Sequence, residues 1–335
     1  MAYRIDAEGS VELGGRLVPV PRTVSAEARA FLAAHPWGEA PPPSAQAVPM
    51  WALREHVDAA MRSGAREAAA LFPVAVEEAA IGGVRCQVVR PPVVPPENEG
   101  KLLINLHGGG FVLGSGSLIE AIPIAHVARL PVIAVDYRLA PEHPFPAAVD
   151  DALAVYRAML RDHAPEAIGI FGSSAGGFIT SQAAMRIAAE TLPQPACLGI
   201  FTAGGDLADL GDTARIFTLM GFWGEPILPT DHPLSEIRAY LAGADPADPF
   251  VSPERGDLSH FPPTLLVSGT RDAVLSGTVR FHRALRRAGR PADLHIFEAM
   301  PHAHWYMPHL PEAREAIDLM AGFFLDHLAA SRARG

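Results

Sequence analysis

The chain has 335 residues, 49% hydrophobic and 19% charged, with 37 acidic against 27 basic residues and a formal net charge of −10. That size and balance fit a compact soluble protein with a large core, and the acidic surplus argues against nucleic acid or an anionic membrane as partner. Its one lysine, Lys101, removes P-loop, Schiff-base and Ser-Lys chemistries, and two cysteines, Cys86 and Cys197, are too few for a disulfide framework or a cysteine zinc site and read as buried free thiols.

Residues 1 to about 24 show no clear periodicity and read as partly irregular. The start Met1-Ala2-Tyr3-Arg4-Ile5-Asp6 lacks a basic segment followed by an apolar core, and no apolar run reaches the roughly 18 residues that cross a membrane, so a cytoplasmic location is expected. A helix is expected over 26–34, then a Pro-rich linker over 36–49. Apolar Leu53, Val57, Ala60 and Met61 predict an amphipathic helix over 50–72. Residues 74–78 and 84–89, joined by Gly82-Gly83, read as a hairpin.

From there strands and helices alternate. Strands are expected at 102–106, 131–136, 167–171, 198–202, 264–268 and 293–297, and helices at 117–129, 146–162, 175–190, 277–288 and 312–329. Alternation of this kind predicts an α/β fold: a mostly parallel sheet with helices on both faces and the hairpin as an antiparallel edge. The segment 204–261 breaks the rhythm with Ile216, Phe217, Leu219, Met220, Phe222 and Trp223 before a polar, Pro-rich tract. It reads either as a lid over a site at the strand ends or as an ordinary helix packed on the core. The division expected is a helical N-terminal cap over 1–72, a catalytic core over 73–203 and 262–335, and a cap or lid insertion over 204–261.

Within that frame, Gly172-Ser173-Ser174-Ala175-Gly176 lies where a buried strand meets a helix of small and apolar residues, the setting of a nucleophile elbow that exposes the Ser174 hydroxyl. His107-Gly108-Gly109-Gly110 also follows a buried strand. Its glycines let backbone N–H groups of Gly108 and Gly109 approach a developing oxyanion, with the Ala175 N–H as third donor. His107 reads as a structural residue holding that loop. Chain order places an acid after a later strand, at Asp272 in the turn Gly269-Thr270-Arg271-Asp272, and a base after the next, within Met300-Pro301-His302-Ala303-His304. His302 comes first after the turn and is the expected base, with His304 as its rival. The His-x-His spacing could also serve a metal, but no third ligand stands nearby, so neither metal nor cofactor is expected.

These residues, with Asp136-Tyr137-Arg138-Leu139-Ala140-Pro141-Glu142-His143-Pro144-Phe145-Pro146-Ala147, resemble the bacterial hormone-sensitive-lipase-type esterases of the α/β-hydrolase superfamily. Asp248-Pro249-Phe250-Val251-Ser252-Pro253 and Leu266-Val267-Ser268-Gly269-Thr270-Arg271-Asp272 look like a subgroup of monoterpene ε-lactone hydrolases and acetyl-hydrolases. The resemblance runs from about residue 70 to the C-terminus and implies Ser174, Asp272 and His302 as a catalytic triad. Three positions depart from the common pattern: Ser173 and Ser276 where many members carry Asp, and His304 where an aromatic is usual.

The expected function is a serine carboxylesterase acting on short- to medium-chain acyl esters. A lactone, amide or carbamate hydrolase with the same triad, and a non-catalytic ligand receptor on the same fold, stand as alternatives. The expected partner is a small-molecule ester or lactone, and a homodimer is compatible with the chain.

Overall fold

The computed structural model describes residues 3–5, 10–13, 16–34, 50–217, 219 and 236–329. The chain opens with β1 (Tyr3–Ile5), β2 (Val11–Leu13) and β3 (Arg16–Val18), which pair as a small antiparallel sheet. The sequence reads there as partly irregular, with no clear periodicity, and three-residue strands are too short to carry a period-two signal. Helices α1 (Ala26–Ala34) and α2 (Met50–Leu71) follow, within a residue of their expected bounds. The Pro-rich linker expected between them lies outside the described residues.

The main sheet takes its strands from β4 (Ala75–Ile81), β5 (Val84–Arg90), β6 (Leu102–Leu106), β7 (Val132–Val135), β8 (Ile168–Ser173), β9 (Cys197–Phe201), β10 (Thr264–Gly269) and β11 (Ala292–Phe297). They lie in the order β11-β10-β9-β8-β6-β7-β5-β4, parallel from β11 to β7, with β5 and β4 antiparallel at one edge. Helices α3 (Ala121–Ala128), α4 (Ala147–Met159), α5 (Ala175–Ala189), α6 (Glu236–Leu241), α7 (Leu275–Arg287) and α8 (Pro311–His327) complete it. Strands β6 to β10 are buried along their whole length, as a sheet covered on both faces requires, which is why they read as unbroken apolar runs. This is the α/β-hydrolase fold. Two core layers flank the sheet, one around Leu106, Ile170, Ile179 and Phe281, the other around Ala121, Phe171, Ile317 and Phe324. Cys86 and Cys197 are buried and free, and desolvation pushes the Cys86 thiol up to about 12, far from reactive thiolate.

Of the segment 204–261, Leu207, Leu210, Ile237, Tyr240, Val251 and Phe261 join the first core layer. Ile216 and Leu219 are exposed. Met220, Phe222 and Trp223 lie outside the described residues. No helix among the described residues is long and apolar enough to cross a membrane.

Two N-terminal elements are tied to functional loops. Helix α1 and Val24 pack Ala28 and Leu32 against Ala299 and Met300, beneath the loop that carries His302. Helix α2 reaches the loop after β6. Arg54 donates through Nε to the Val112 carbonyl at 2.8 Å and through Nη2 to the Ala140 carbonyl at 2.7 Å, and it also pairs with Glu142. Asp58 accepts the Gly114 N–H at 2.8 Å.

Because the Glu142 arm is half exposed, it contributes little, whereas the two carbonyl bonds from a charged donor are each worth about 1–3 kcal/mol. Arg54→Ala is therefore expected to speed amide exchange across 51–65 by about tenfold or more while the central strands keep their protection. Hydrogen exchange read by mass spectrometry checks this, and unchanged exchange in α2 would mean other contacts hold it.

Candidate active site

At the end of β8 the chain turns directly into α5, and Ser174 sits on the turn with φ 56° and ψ −124°, a conformation that non-glycine residues rarely adopt. It is held there by backbone bonds. The Ser174 N–H donates to the Phe201 carbonyl at 2.9 Å, and its own carbonyl accepts the N–H groups of Gly177 and Phe178. The turn also needs room that only glycine leaves. A Cβ on Gly172 would stand 2.3 Å from the Leu106 carbonyl oxygen, and one on Gly176 1.8 Å from the same atom.

Asp272 lies in the turn after β10 and His302 in the turn after β11, neighbours at the carboxyl edge of the sheet. His302 Nδ1 is 2.8 Å from Asp272 Oδ1. Its Nε2 is buried and has no hydrogen-bond partner among the described residues. Asp272 is fully buried and accepts from four groups: His302, the Val274 N–H at 3.0 Å, the Ser268 hydroxyl at 2.6 Å, and the Thr202 hydroxyl. Burial alone would raise its pKa, but the charge of His302 and the bonds from His302, Ser268 and Thr202 outweigh burial and hold the carboxyl below its usual range. Thr202 and Ser268 are absent from the sequence reading. Their one signal is that each is a hydroxyl residue at the carboxyl end of a buried strand.

The structure separates the two candidate histidines. Ala303 between them takes a left-handed φ of 50°, which turns the chain. His304 is buried against Phe297 and Trp305, with ring centroids 4.8 and 5.1 Å away, and desolvation lowers its pKa to about 4. It packs as a neutral ring where the sequence allowed a base or a metal ligand.

The loop 107–110 runs beside the elbow, since a Cβ on Gly108 would lie 3.5 Å from the Ser174 Cβ. The Gly108 N–H, expected as an oxyanion donor, instead donates to the buried carboxylate of Glu120 at 3.2 Å. That amide is turned into the protein and is engaged. Among the described residues the Gly109 and Gly110 N–H groups have no protein acceptor, and the Ala175 N–H, first in its helix, has no partner one turn back. His107 stacks on Tyr137 at 4.2 Å, and the Tyr137 hydroxyl donates to the His107 carbonyl at 2.6 Å. Asp136 takes the Ser115 hydroxyl and the Gly116 N–H at 2.7 and 2.9 Å, so the 136–147 stretch braces the glycine loop. The Glu236 carboxyl abuts Gly110, where a Cβ would meet its Oε2 at 2.4 Å.

Residues 103–306 match a family model described as alpha/beta hydrolase fold. An acetyl-hydrolase of Streptomyces hygroscopicus is 35% identical over 237 residues, covering 70% of this chain and 78% of that protein. A carboxylesterase, NlhH, of Mycobacterium tuberculosis is 29% identical over 246 residues, covering 68% and 75%. Among solved structures, esterase E25 superposes with a TM-score of 0.83 at 34% identity, covering 95% of this chain and 98% of that one. An esterase from the bacterial hormone-sensitive lipase family gives 0.74 at 27% identity, over 85% and 94%.

The buried His304 makes stability depend on pH. An unfolded histidine titrates near 6.5 and this one near 4, so between those values the unfolded chain binds more protons and stability falls with acid. At pH 5 that effect amounts to about 2 kcal/mol. His304→Phe, which keeps an aromatic ring in an aromatic pocket, is expected to lose less stability than the wild type on going from pH 8 to pH 5. Urea unfolding at the two pH values measures the difference; equal losses would place the titration elsewhere.

Proposed function

This chain belongs to the α/β-hydrolase family, among the carboxylic ester hydrolases of the bacterial hormone-sensitive-lipase type, and we propose that Ser174, His302 and Asp272 form its catalytic triad. The observation that carries this reading is the 2.8 Å contact between His302 Nδ1 and Asp272 Oδ1, which leaves Nε2 as the buried ring nitrogen free to take a proton.

In this mechanism the Ser174 Oγ attacks the ester carbonyl carbon while His302 Nε2 takes the hydroxyl proton. Asp272 keeps the Nδ1 proton in place, which fixes the tautomer, and its negative charge stabilises the imidazolium. The carbonyl oxygen becomes an oxyanion and is met by the N–H groups of Gly109 and Ala175, with Gly110 in the place expected of Gly108. Collapse of the tetrahedral species breaks the bond to the alcohol, which leaves with the proton from His302. Water then gives a proton to His302 and attacks the acyl-serine, and the acid departs as Ser174 regains its hydrogen. No step needs a metal or cofactor.

The substrate class follows as short- to medium-chain acyl esters. Relatives named acetyl-hydrolase and carboxylesterase support it, as do the exposed apolar Ile216 and Leu219, which continue from the Thr213 region that Ser276 and Ala273 anchor beside Asp272. In this reading residues 1–72 and 204–261 form the cap over a core of 73–203 and 262–335.

Ser174→Ala is expected to lower p-nitrophenyl acetate and butyrate hydrolysis by about 10⁴-fold or more with the circular dichroism unchanged. His302→Ala should be about as severe, and His304→Ala should stay within about tenfold of the wild type. A fluorophosphonate probe should label the wild type at Ser174 alone. Residual turnover of Ser174→Ala within tenfold of the wild type, or loss of activity in His304→Ala but not His302→Ala, would falsify the assignment.

A further inference from the structure

One buried acid outside the proposed triad touches both the glycine loop and the loop that carries His302. Glu120 stands just before α3 and is 3% exposed. Its Oε1 accepts the Gly108 N–H at 3.2 Å and the Tyr306 hydroxyl, and its Oε2 accepts from Asn105 Nδ2 at 3.3 Å. The Ser173 hydroxyl, next to Ser174, accepts from Trp305 Nε1 at 3.1 Å. Asn105 and Gly108 belong to β6 and the glycine loop, Ser173 to the elbow, and Trp305 and Tyr306 to the loop that carries His302.

Such a group is expensive to keep for packing alone. Glu120 lines a small space together with Pro123, Ile124, Phe171, Phe201, Ile317 and Met320, an environment that suits an apolar side chain. Taking a carboxyl out of water there is unfavourable, and replacing a buried polar network by apolar groups is often neutral or stabilising. What an apolar residue could not do is accept the Gly108 N–H. With that amide held inward, the next peptides of the loop are the ones left to face the cleft. Gly109 follows with φ 132°, a value open only to glycine, and a Cβ there would strike the Leu113 carbonyl at 2.2 Å.

We propose that Glu120 is a positioning residue: its carboxyl holds the Gly108 peptide inward, and so aims the oxyanion donors, while Tyr306 ties the base loop to the same anchor and Trp305, beside it, bonds to the elbow at Ser173. The inference rests on the reading of Ser174, His302 and the glycine loop given above. Donors aimed in advance stabilise charge that exists only in the transition state. Loss of the anchor should therefore lower kcat and leave KM nearly unchanged.

The test compares wild type, Glu120→Ala, Glu120→Gln and Tyr306→Phe on p-nitrophenyl acetate, at a temperature where circular dichroism shows each variant folded. Glu120→Ala is expected to lower kcat by about 10- to 100-fold with KM within about threefold. Affinity for a trifluoromethyl ketone, whose serine adduct carries the oxyanion, should fall by the same factor. Glu120→Gln, which still offers an oxygen to Gly108, should recover most of both losses, and Tyr306→Phe should fall between. Should Glu120→Ala not fold, Tyr306→Phe decides: parallel losses in kcat and ketone affinity support the proposal, and wild-type values overturn it. A folded Glu120→Ala with both quantities within threefold of the wild type overturns it, as does a loss confined to KM. Fluorophosphonate labelling of the wild type at Ser174 separates this from the triad reading. A labelled wild type with unaffected variants rejects only the role of Glu120, whereas an unlabelled wild type rejects the site itself.

Discussion

No side chain fits between the Leu106 carbonyl and the glycines that flank Ser174. A Cβ would meet that oxygen at 2.3 Å from Gly172 and at 1.8 Å from Gly176, so the elbow lies backbone to backbone on the end of β6. Leu106 is also the last residue before His107 and the glycine loop. One close approach therefore fixes the position of Ser174 and of its neighbouring amides together, with Gly108 beside the Ser174 side chain. The strained φ of Ser174 persists because three backbone bonds and this packing over-determine it. Everything else in the proposed site is arranged around a serine that has no freedom to move away.

Asp272 and His302 are fixed by a different means. Among the described residues Asp272 is buried with no arginine or lysine as its ion-pair partner; its partners are His302, two hydroxyls and a backbone amide. Four donors satisfy the lone pairs of a carboxylate, which is what keeps it ionised despite the cost of desolvation. Ser268 comes from β10 and Thr202 directly follows β9, so the sheet itself presents Asp272 to the His302 ring. Beneath the imidazole, α1 backs the turn at Ala299 and Met300. The base loop is thus held by side chains from both ends of the sequence.

How much of this could be read in advance follows from distance along the chain. Strands β6 to β11 and helices α1 to α5 lie close to the bounds that apolar runs and periodicity predict, because burial on both faces leaves a local mark. The elbow, the glycine run and Asp272 were legible for the same reason, since each follows a buried strand. Contacts that join remote segments leave no such mark. Glu120 meets Tyr306 across 186 residues and Thr202 meets Asp272 across 70, and nothing local in either carboxylate's neighbourhood announces its partner. Peptide orientation is equally hidden. A run of three glycines says that backbone comes close to something, but not that Gly108 faces inward while its successors do not. Chain order already favours His302; that His304 instead turns into the core depends on one left-handed residue, Ala303, which alanine does not ordinarily signal.

The glycine loop is consequently the part of the site with the least intrinsic stiffness and the most external support. Glycine loses more freedom on ordering than any other residue, so three in succession do not hold a geometry by themselves. Here the order is imposed from two sides. From the core, Glu120 takes the Gly108 amide and Tyr137 takes the His107 carbonyl. From the outside, α2 takes the Val112 carbonyl through Arg54 and the Gly114 amide through Asp58. Helix α2 is therefore also a wall of the glycine loop. Sequence change at Arg54 or Asp58 acts on the backbone geometry of that loop from outside it, without any substitution within the glycine run itself.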